Sequence, residues 1–122
     1  MKVIKGGRVS ELLQDTKIPK MFHARQTFPR EIIRPEEIPA AVHREMEKED
    51  IGSRIRPGMS IAVTAGSRGI RNVDIITKAV VDEVKARGAQ PFIVPAMGSH
   101  GGATAEGQLA MLAGYGITPE TM

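Results

Sequence analysis

The chain has 122 residues, a hydrophobic fraction of 41% and a net charge of +3, which suffices for one domain with a core of its own. Its basic residues are spread along the chain, and three Phe, one Tyr and no Trp leave little aromatic surface for stacking on bases, so we expect no nucleic-acid partner. The absence of cysteine excludes disulfides and thiolate metal sites, and with the lack of any long apolar stretch it predicts a cytoplasmic protein without a signal peptide or membrane span.

The first 55 residues give the weaker structural signals. Val3-Ile4 and Met21–Phe28 predict strands, the second because alternate residues share one face: Phe22, Ala24, Gln26 and Phe28. A stripe at helical spacing then predicts a helix: Ile38, Ala41, Val42 and Met46. We therefore expect a strand, a loop and a helix over 1–55, with His23 and His43 as solvated side chains rather than ligands.

Residues 56–122 carry clearer signals. Arg56-Pro57-Gly58 is a turn signal, and the β-branched and apolar run Ser60–Val63 predicts a strand. A glycine-bearing loop, Thr64–Ile70, follows. Apolar residues at helical spacing then predict a helix over Asn72–Arg87, with its first residue as the cap and a glycine directly after it as the stop.

A second strand, loop and helix come next. Phe92–Val94 predicts a buried strand that stops at Pro95, because proline cannot donate a ladder hydrogen bond. The loop that follows is rich in glycine, and Thr104 is placed to cap a helix that begins near Ala105 and stops at Gly114.

The order strand, helix, strand, helix predicts an α/β fold, a Rossmann-like βαβ three-layer domain spanning 1–122. Its core is βαβα over 56–122. Parallel strands joined by a helix put both loops on the same edge of the sheet, so Ser67, Arg68 and His100 should face one crevice. Two strands alone leave open sheet edges, which the preceding segment, a swapped element or a partner chain would cover.

The two loops carry complementary chemistry. His100 can accept or return a proton near neutral pH. Arg68 offers a planar fork of donors for a carboxylate or phosphate, with Ser67 and the N–H groups of Gly66 and Gly98 beside it. The alternative interpretation is a tight connection with a surface histidine and solvated arginines. A separate alternative for the function is a non-catalytic nucleotide- or anion-binding α/β module.

The run Gly98–Glu106, preceded by Ser67-Arg68 after the earlier strand, resembles the N-terminal domain of the nickel-pincer lactate racemase family. That family has a Gly-x-His-x-x-x-Thr-x-Glu signature, which Gly98, His100, Thr104 and Glu106 match, and a Thr/Ser-Arg motif, which Ser67 and Arg68 match. The resemblance covers approximately Arg56 to Thr118.

The resemblance implies an isomerase that racemises or epimerises a small 2-hydroxy acid with a nickel-pincer nucleotide. His100 would be a catalytic histidine, and Arg68 would bind substrate or cofactor. Ser67 and Thr104 would be supporting contacts, and Glu106 would complete the binding set. The family's polar residues are replaced here by Ala65 and Gly101, so the substrate can be a hydroxy acid other than lactate.

The resemblance also implies what this chain does not supply. The family's second histidine, cofactor-bearing lysine and nickel ligand lie beyond the matched region, so we expect no metal ligand here. We expect an N-terminal fragment that is inactive alone and is completed by the C-terminal domain of the same protein or by another copy of the chain.

Overall fold

The computed structural model describes residues 7–17, 19–29, 31–67 and 69–122. By its contacts the chain divides into two compact units, Met1–Glu31 and Ile32–Met122, whereas the sequence analysis treated 1–122 as one domain.

The first unit contains one short helix, α1 (Arg8–Leu13), in the part that the structure describes. Its described residues are all exposed, and 19–29 form no regular element. The strand predicted over Met21–Phe28 is therefore wrong, because alternation alone does not make a strand unless a neighbouring strand accepts its hydrogen bonds. The strand predicted at Val3-Ile4 lies outside the described residues.

The second unit begins with a turn of 3-10 helix, Pro35–Glu37, that runs into helix α2 (Ile38–Met46) and then the short helix α3 (Glu49–Gly52). The predicted stripe is confirmed: its first member is buried and the other three are half-buried. This face of α2 packs against a later helix, α4 (Val73–Ala86).

The sheet has two parallel strands, β1 (Ser60–Ala65) and β2 (Gln90–Pro95), in the part of the chain that the structure describes. Ser60 pairs with Gln90 and Ala65 with Pro95. The ladder continues one step further, where the Ala96 N–H donates to the Ala65 carbonyl at 2.8 Å. β1 runs past its predicted end, whereas β2 ends at Pro95 as predicted. Because the strands are parallel and Ala65 pairs with Pro95, both following loops start from the same edge of the sheet.

Helix α4 connects the two strands, with Asn72 at its N-cap position as predicted. The cap chemistry differs from the prediction, because Asn72 has a φ of 59° and makes no side-chain capping bond. The chain enters this helix through a left-handed residue, which asparagine tolerates better than most side chains do.

Helix α5 (Ala105–Gly114) follows β2, and its predicted cap is confirmed. Thr104 Oγ1 accepts a hydrogen bond from the Gly107 N–H at 3.1 Å. The helix ends at Gly114 as predicted, and the N–H of the following residue, Tyr115, still donates to the carbonyls of Met111 and Leu112.

Helices α4 and α5 lie on the same face of the sheet. Ala65 of β1 and Ile93 of β2 pack in one cluster with Val73 of α4 and Leu112 of α5. The opposite face is exposed: Ala62, Thr64, Phe92 and Val94. The fold of the described residues is therefore mixed α/β, with one face of a small parallel sheet covered and the other bare.

Candidate functional site

Two side chains meet where the strands end. Ser67 follows β1 by two residues, and His100 follows β2 by five. The Ser67 hydroxyl and Nδ1 of His100 form a hydrogen bond, and both residues are half-buried. The structure thus brings together the serine and the histidine that the parallel topology predicted at one crevice.

The histidine stands at the start of a strained turn. His100–Ala103 is a short 3-10 segment in which Gly101 and Gly102 have φ values of 62° and 68°, and Ala103 also has a positive φ, 56°. A non-glycine residue there costs about 1–2 kcal/mol. The His100 N–H donates to the Met97 carbonyl at 3.1 Å, which closes the backbone turn between β2 and this histidine.

This turn lies directly on the first turn of α5. A Cβ at Gly107 would stand 1.9 Å from the Gly101 carbonyl oxygen, and a Cβ at Gly101 would stand 2.5 Å from the Gly107 carbonyl carbon. Both positions therefore require glycine. Gly107 was not predicted from the sequence, although a glycine in the first turn of a helix is destabilising unless packing demands it.

Thr104 and Glu106 stand apart from the pair. The Thr104 hydroxyl donates to the Gly101 carbonyl at 3.2 Å and accepts from Gly107, so both of its bonds shape the loop. Glu106 is exposed in the first turn of α5. These two motif residues thus hold structural or surface positions in this structure.

Two further side chains hold the loops. Tyr115 Oη donates to the Ser67 carbonyl at 2.7 Å, and Gln108 Nε2 donates to the carbonyls of Gly98 at 2.9 Å and His100 at 3.4 Å. Neither side chain was predicted from the sequence to contact the loops. The only signal available was their seven-residue spacing, which puts both on one side of a helix.

A small pocket of about 140 Å³ opens beside Ser67. Its lining combines backbone, hydroxyl and apolar groups: Gly66, Ser67, Gly69, Ile70, Val73 and Tyr115. It lies at the beginning of α4, whose first N–H groups favour an anion. At about 30 Å³ per water molecule, the volume corresponds to a ligand of only a few heavy atoms.

Arg68, the predicted anion-binding residue, lies outside the described residues. Arg71 is exposed. Two larger pockets, of about 380 and 390 Å³, lie away from the pair. The first is lined mainly by α4 and residues from 116–122, and the second by residues of α4, β2, α5 and 117–122. Neither of them includes a histidine or a serine in its lining, whereas the small pocket includes Ser67.

A second cluster of ionisable groups joins α2 to α4. His43 Nδ1 contacts Glu83 Oε1 at 2.9 Å, and Arg87 pairs with Glu83 and, at 2.6 Å, with Glu47. His43, Glu47 and Glu83 could in principle hold a metal ion. The Arg87 guanidinium lies among the same carboxylates, however, and supplies the positive charge that a cation would bring.

Arg87 also sets the titration of this cluster. Its hydrogen bond lowers the pKa of the Glu83 carboxyl below the ordinary value of 4.5, partial burial opposes the shift, and His43 adds to it. The cluster is therefore an ion-pair network between two helices. His23, the third histidine, is exposed, as predicted.

No helix among the described residues is long and apolar enough to cross a membrane. No protein-family model, curated protein or solved structure matches this chain.

Proposed function

We propose that this chain is the N-terminal, substrate-facing domain of a nickel-dependent racemase or epimerase of small 2-hydroxy acids, similar to lactate racemase. The observation that carries the proposal is the hydrogen bond between Ser67 and His100 at the ends of adjacent parallel strands. Ligands of open α/β sheets bind at this edge. The small pocket beside Ser67 suits a molecule with few heavy atoms.

In this proposal His100 moves the proton of the substrate hydroxyl. A neutral imidazole that donates its Nδ1 proton to the Ser67 oxygen carries its lone pair on Nε2, which is the basic nitrogen. We propose that Ser67 is the acceptor in this bond and so favours this tautomer. Backbone N–H groups near Gly66 and the start of α4 would face the substrate carboxylate. The resemblance also assigns binding of substrate or cofactor to Arg68.

The nickel-pincer nucleotide would supply hydride transfer at the substrate's α-carbon. The described residues of this chain do not fit its metal, because the cluster around His43 is already occupied by the Arg87 guanidinium. We therefore propose that the cofactor is held by the C-terminal domain of the same protein or by another copy of the chain, and we derive no step through it.

The same partner would complete the fold. Parallel sheets are almost always covered on both faces, whereas here Phe92 and Val94 are 49% and 36% exposed on the bare face. We propose a Rossmann-like three-layer domain in which further helices cover this face. The lack of cysteine and of a spanning helix among the described residues supports a cytoplasmic protein.

The alternative is a module that binds an anion without turnover. It is favoured by Thr104 and Glu106, because one is used within its loop and the other is exposed. The pocket of about 140 Å³ favours a small anion over a nucleotide, since sites for larger ligands usually measure about 300 Å³ or more.

The experiment that tests the proposal uses the full gene product from a host that makes the pincer cofactor. Its mass and nickel content are measured, and chiral 2-hydroxy acids are screened for loss of optical activity. We expect a nickel adduct and racemisation of at least one acid. An adduct-bearing protein that racemises none, or a full chain that carries no adduct, contradicts the racemase. Small-anion binding without turnover then establishes the module.

The Arg68→Lys variant tests, in the same assay, whether Arg68 binds the substrate anion. Lysine keeps the charge and loses the two parallel hydrogen bonds, so KM should rise by about tenfold, the loss expected of a charge-assisted hydrogen bond. Arg71→Lys is the matched control and should leave KM unchanged. An unchanged KM in the Arg68 variant removes this residue from the anion site.

A further inference from the structure

Side chains from α5 and from the residue after it contact the backbone of both loops that carry the Ser67–His100 pair. Tyr115 Oη reaches the Ser67 carbonyl at 2.7 Å, and Gln108 Nε2 reaches the Gly98 carbonyl at 2.9 Å and the His100 carbonyl at 3.4 Å. Gln108 lies in α5, and Tyr115 directly follows its last residue. Their separation of seven residues is close to two helical turns, so both side chains lie on the same side of the helix axis.

The helix is anchored where those loops begin. Leu112 lies four residues after Gln108 and is 3% exposed, and it packs with Ala65 and Met97. Ala65 directly precedes Gly66-Ser67, and Met97 directly precedes Gly98. The core contact and the two hydrogen-bonded contacts therefore fix the same two stretches of backbone to one rigid element.

We infer that α5 sets the distance between Ser67 Oγ and His100 Nδ1, and that Tyr115 and Gln108 are positioning residues for this pair. Both act through backbone carbonyls rather than on a reacting atom. Displacements of about 1 Å at a catalytic pair are enough to reduce catalysis strongly. The inference rests on the proposed function for its meaning, but its test requires no substrate.

A neighbouring contact provides a matched control. Thr121 Oγ1 donates to the Gly116 carbonyl at 2.7 Å, which is the same length and the same kind of bond as that of Tyr115. It closes the turn after α5 and does not contact either loop. Its loss should affect that turn alone.

The experiment measures the tautomer ratio of His100 from the ¹⁵N resonances of its imidazole, at a pH where the ring is neutral. It compares the wild-type chain, Ser67→Ala, Tyr115→Phe and the double variant. Ser67→Ala should change the ratio roughly 2- to 10-fold, the range expected of one net hydrogen bond. Tyr115→Phe should change it in the same direction by at least about twofold, and it should add nothing once Ser67 is gone.

Two more variants complete the design. Thr121→Val should leave the ratio unchanged. Gln108→Met keeps the side-chain length and removes the donors, so it should change the ratio as Tyr115→Phe does. It keeps the test decisive if the amide spectrum shows that Tyr115→Phe disturbs the fold.

The inference is overturned if Ser67→Ala changes the ratio while Tyr115→Phe and Gln108→Met do not, or if Tyr115→Phe has an equal effect with and without Ser67. It is also overturned if Ser67→Ala itself has no effect, because there is then no pair to position. If the variants change the His100 tautomer ratio in this coupled way but no hydroxy acid is racemised, the inference stands and the proposed function is contradicted. If a hydroxy acid is racemised but the tautomer ratio shows no coupled change, the proposed function stands and the inference is contradicted.

Discussion

His100 and His43 each engage a partner through Nδ1, and the two partners differ in kind. His100 meets the hydroxyl of Ser67, which can donate or accept. His43 meets the Glu83 carboxylate, which can only accept and which Arg87 also holds. One histidine lies beside a pocket at the sheet edge, and the other lies between two helices.

The difference shows what a partner does to a histidine. A carboxylate in an ion-pair network holds His43 as a donor and uses it to join α2 to α4. The Ser67 hydroxyl carries no charge, so its hydrogen bond with Nδ1 of His100 is not an ion pair. The ion-pair network therefore holds α2 and α4 together, and the Ser67–His100 pair is the better candidate for proton transfer.

The largest expected effect separates the two histidines by activity. His100→Ala should lower racemisation in the cofactor-loaded full gene product by about 10²- to 10⁴-fold, the usual contribution of a general base. His43→Ala should leave kcat unchanged and lower only the unfolding temperature. The rate of loss of optical activity measures the first effect. Equal losses of activity in both variants would contradict the comparison.

The next effect breaks the packing of the His100 loop. Gly107→Ala places a methyl group 1.9 Å from the Gly101 carbonyl oxygen and should cost about 1–3 kcal/mol or more, as overpacking does. Urea denaturation measures it. The control is Gly114→Ala in the same helix, where a Cβ meets no atom within 4 Å, and it should stabilise by up to about 1 kcal/mol. A tolerated Gly107→Ala would contradict the close approach of loop and helix.

The ion-pair network should show its own pH dependence. Because the folded-state pKa of Glu83 is lowered from 4.5, its stabilising contribution is complete above 4.5 and is lost as the pH falls through the lowered value. Glu83→Gln should therefore lower the free energy of unfolding by about 1–3 kcal/mol at neutral pH. This difference from wild type should disappear as the pH falls and Glu83 becomes protonated.

The matched control for this network is Asp82→Asn, on the same helix. Asp82 pairs with Lys78, and both side chains are at least half exposed, so the change should cost less than about 0.5 kcal/mol. Thermal unfolding between pH 3 and 7 compares the two variants. A stability difference between wild type and Glu83→Gln that grows as the pH falls would contradict a stabilising role for the Glu83 carboxylate in the ion-pair network.

The smallest effect concerns strain beside His100. Ala103 has a φ of 56°, so Ala103→Gly removes a cost of about 1–2 kcal/mol, partly offset by the greater freedom of glycine in the unfolded chain. A net gain of less than about 1 kcal/mol is expected in urea. Ala110→Gly inside α5 should instead lose about 1 kcal/mol. A loss at both positions would argue against a strained turn.

The sequence predicted the second unit well because its signals are local. β-branched runs, helical spacing and Thr104 as a cap each act within a few residues, and parallel topology then places Ser67 near His100. The failures are non-local. Met21–Phe28 has strand-like alternation but pairs with no strand in the described structure, and Asn72 occupies its cap position without making the bond.

The supporting contacts of the site could not be predicted in the same way. Tyr115 lies 48 residues from the serine whose carbonyl it holds, and no local pattern marks such a contact. The contact between Arg87 and Glu47, which are 40 residues apart, is likewise not predicted by any local sequence pattern. Long-range side-chain pairs depend on how helices pack, which periodicity alone does not give.

The most direct test of the central claim titrates the chain with D- and L-lactate while following its amide and imidazole resonances. Acetate, which lacks the hydroxyl, serves as the reference anion. The account predicts that Gly66, Ser67 and His100 shift with lactate more than with acetate, while His43 stays in place. Shifts centred on His43, or equal shifts with both anions, would contradict the assignment of the functional site to the two strand-end loops.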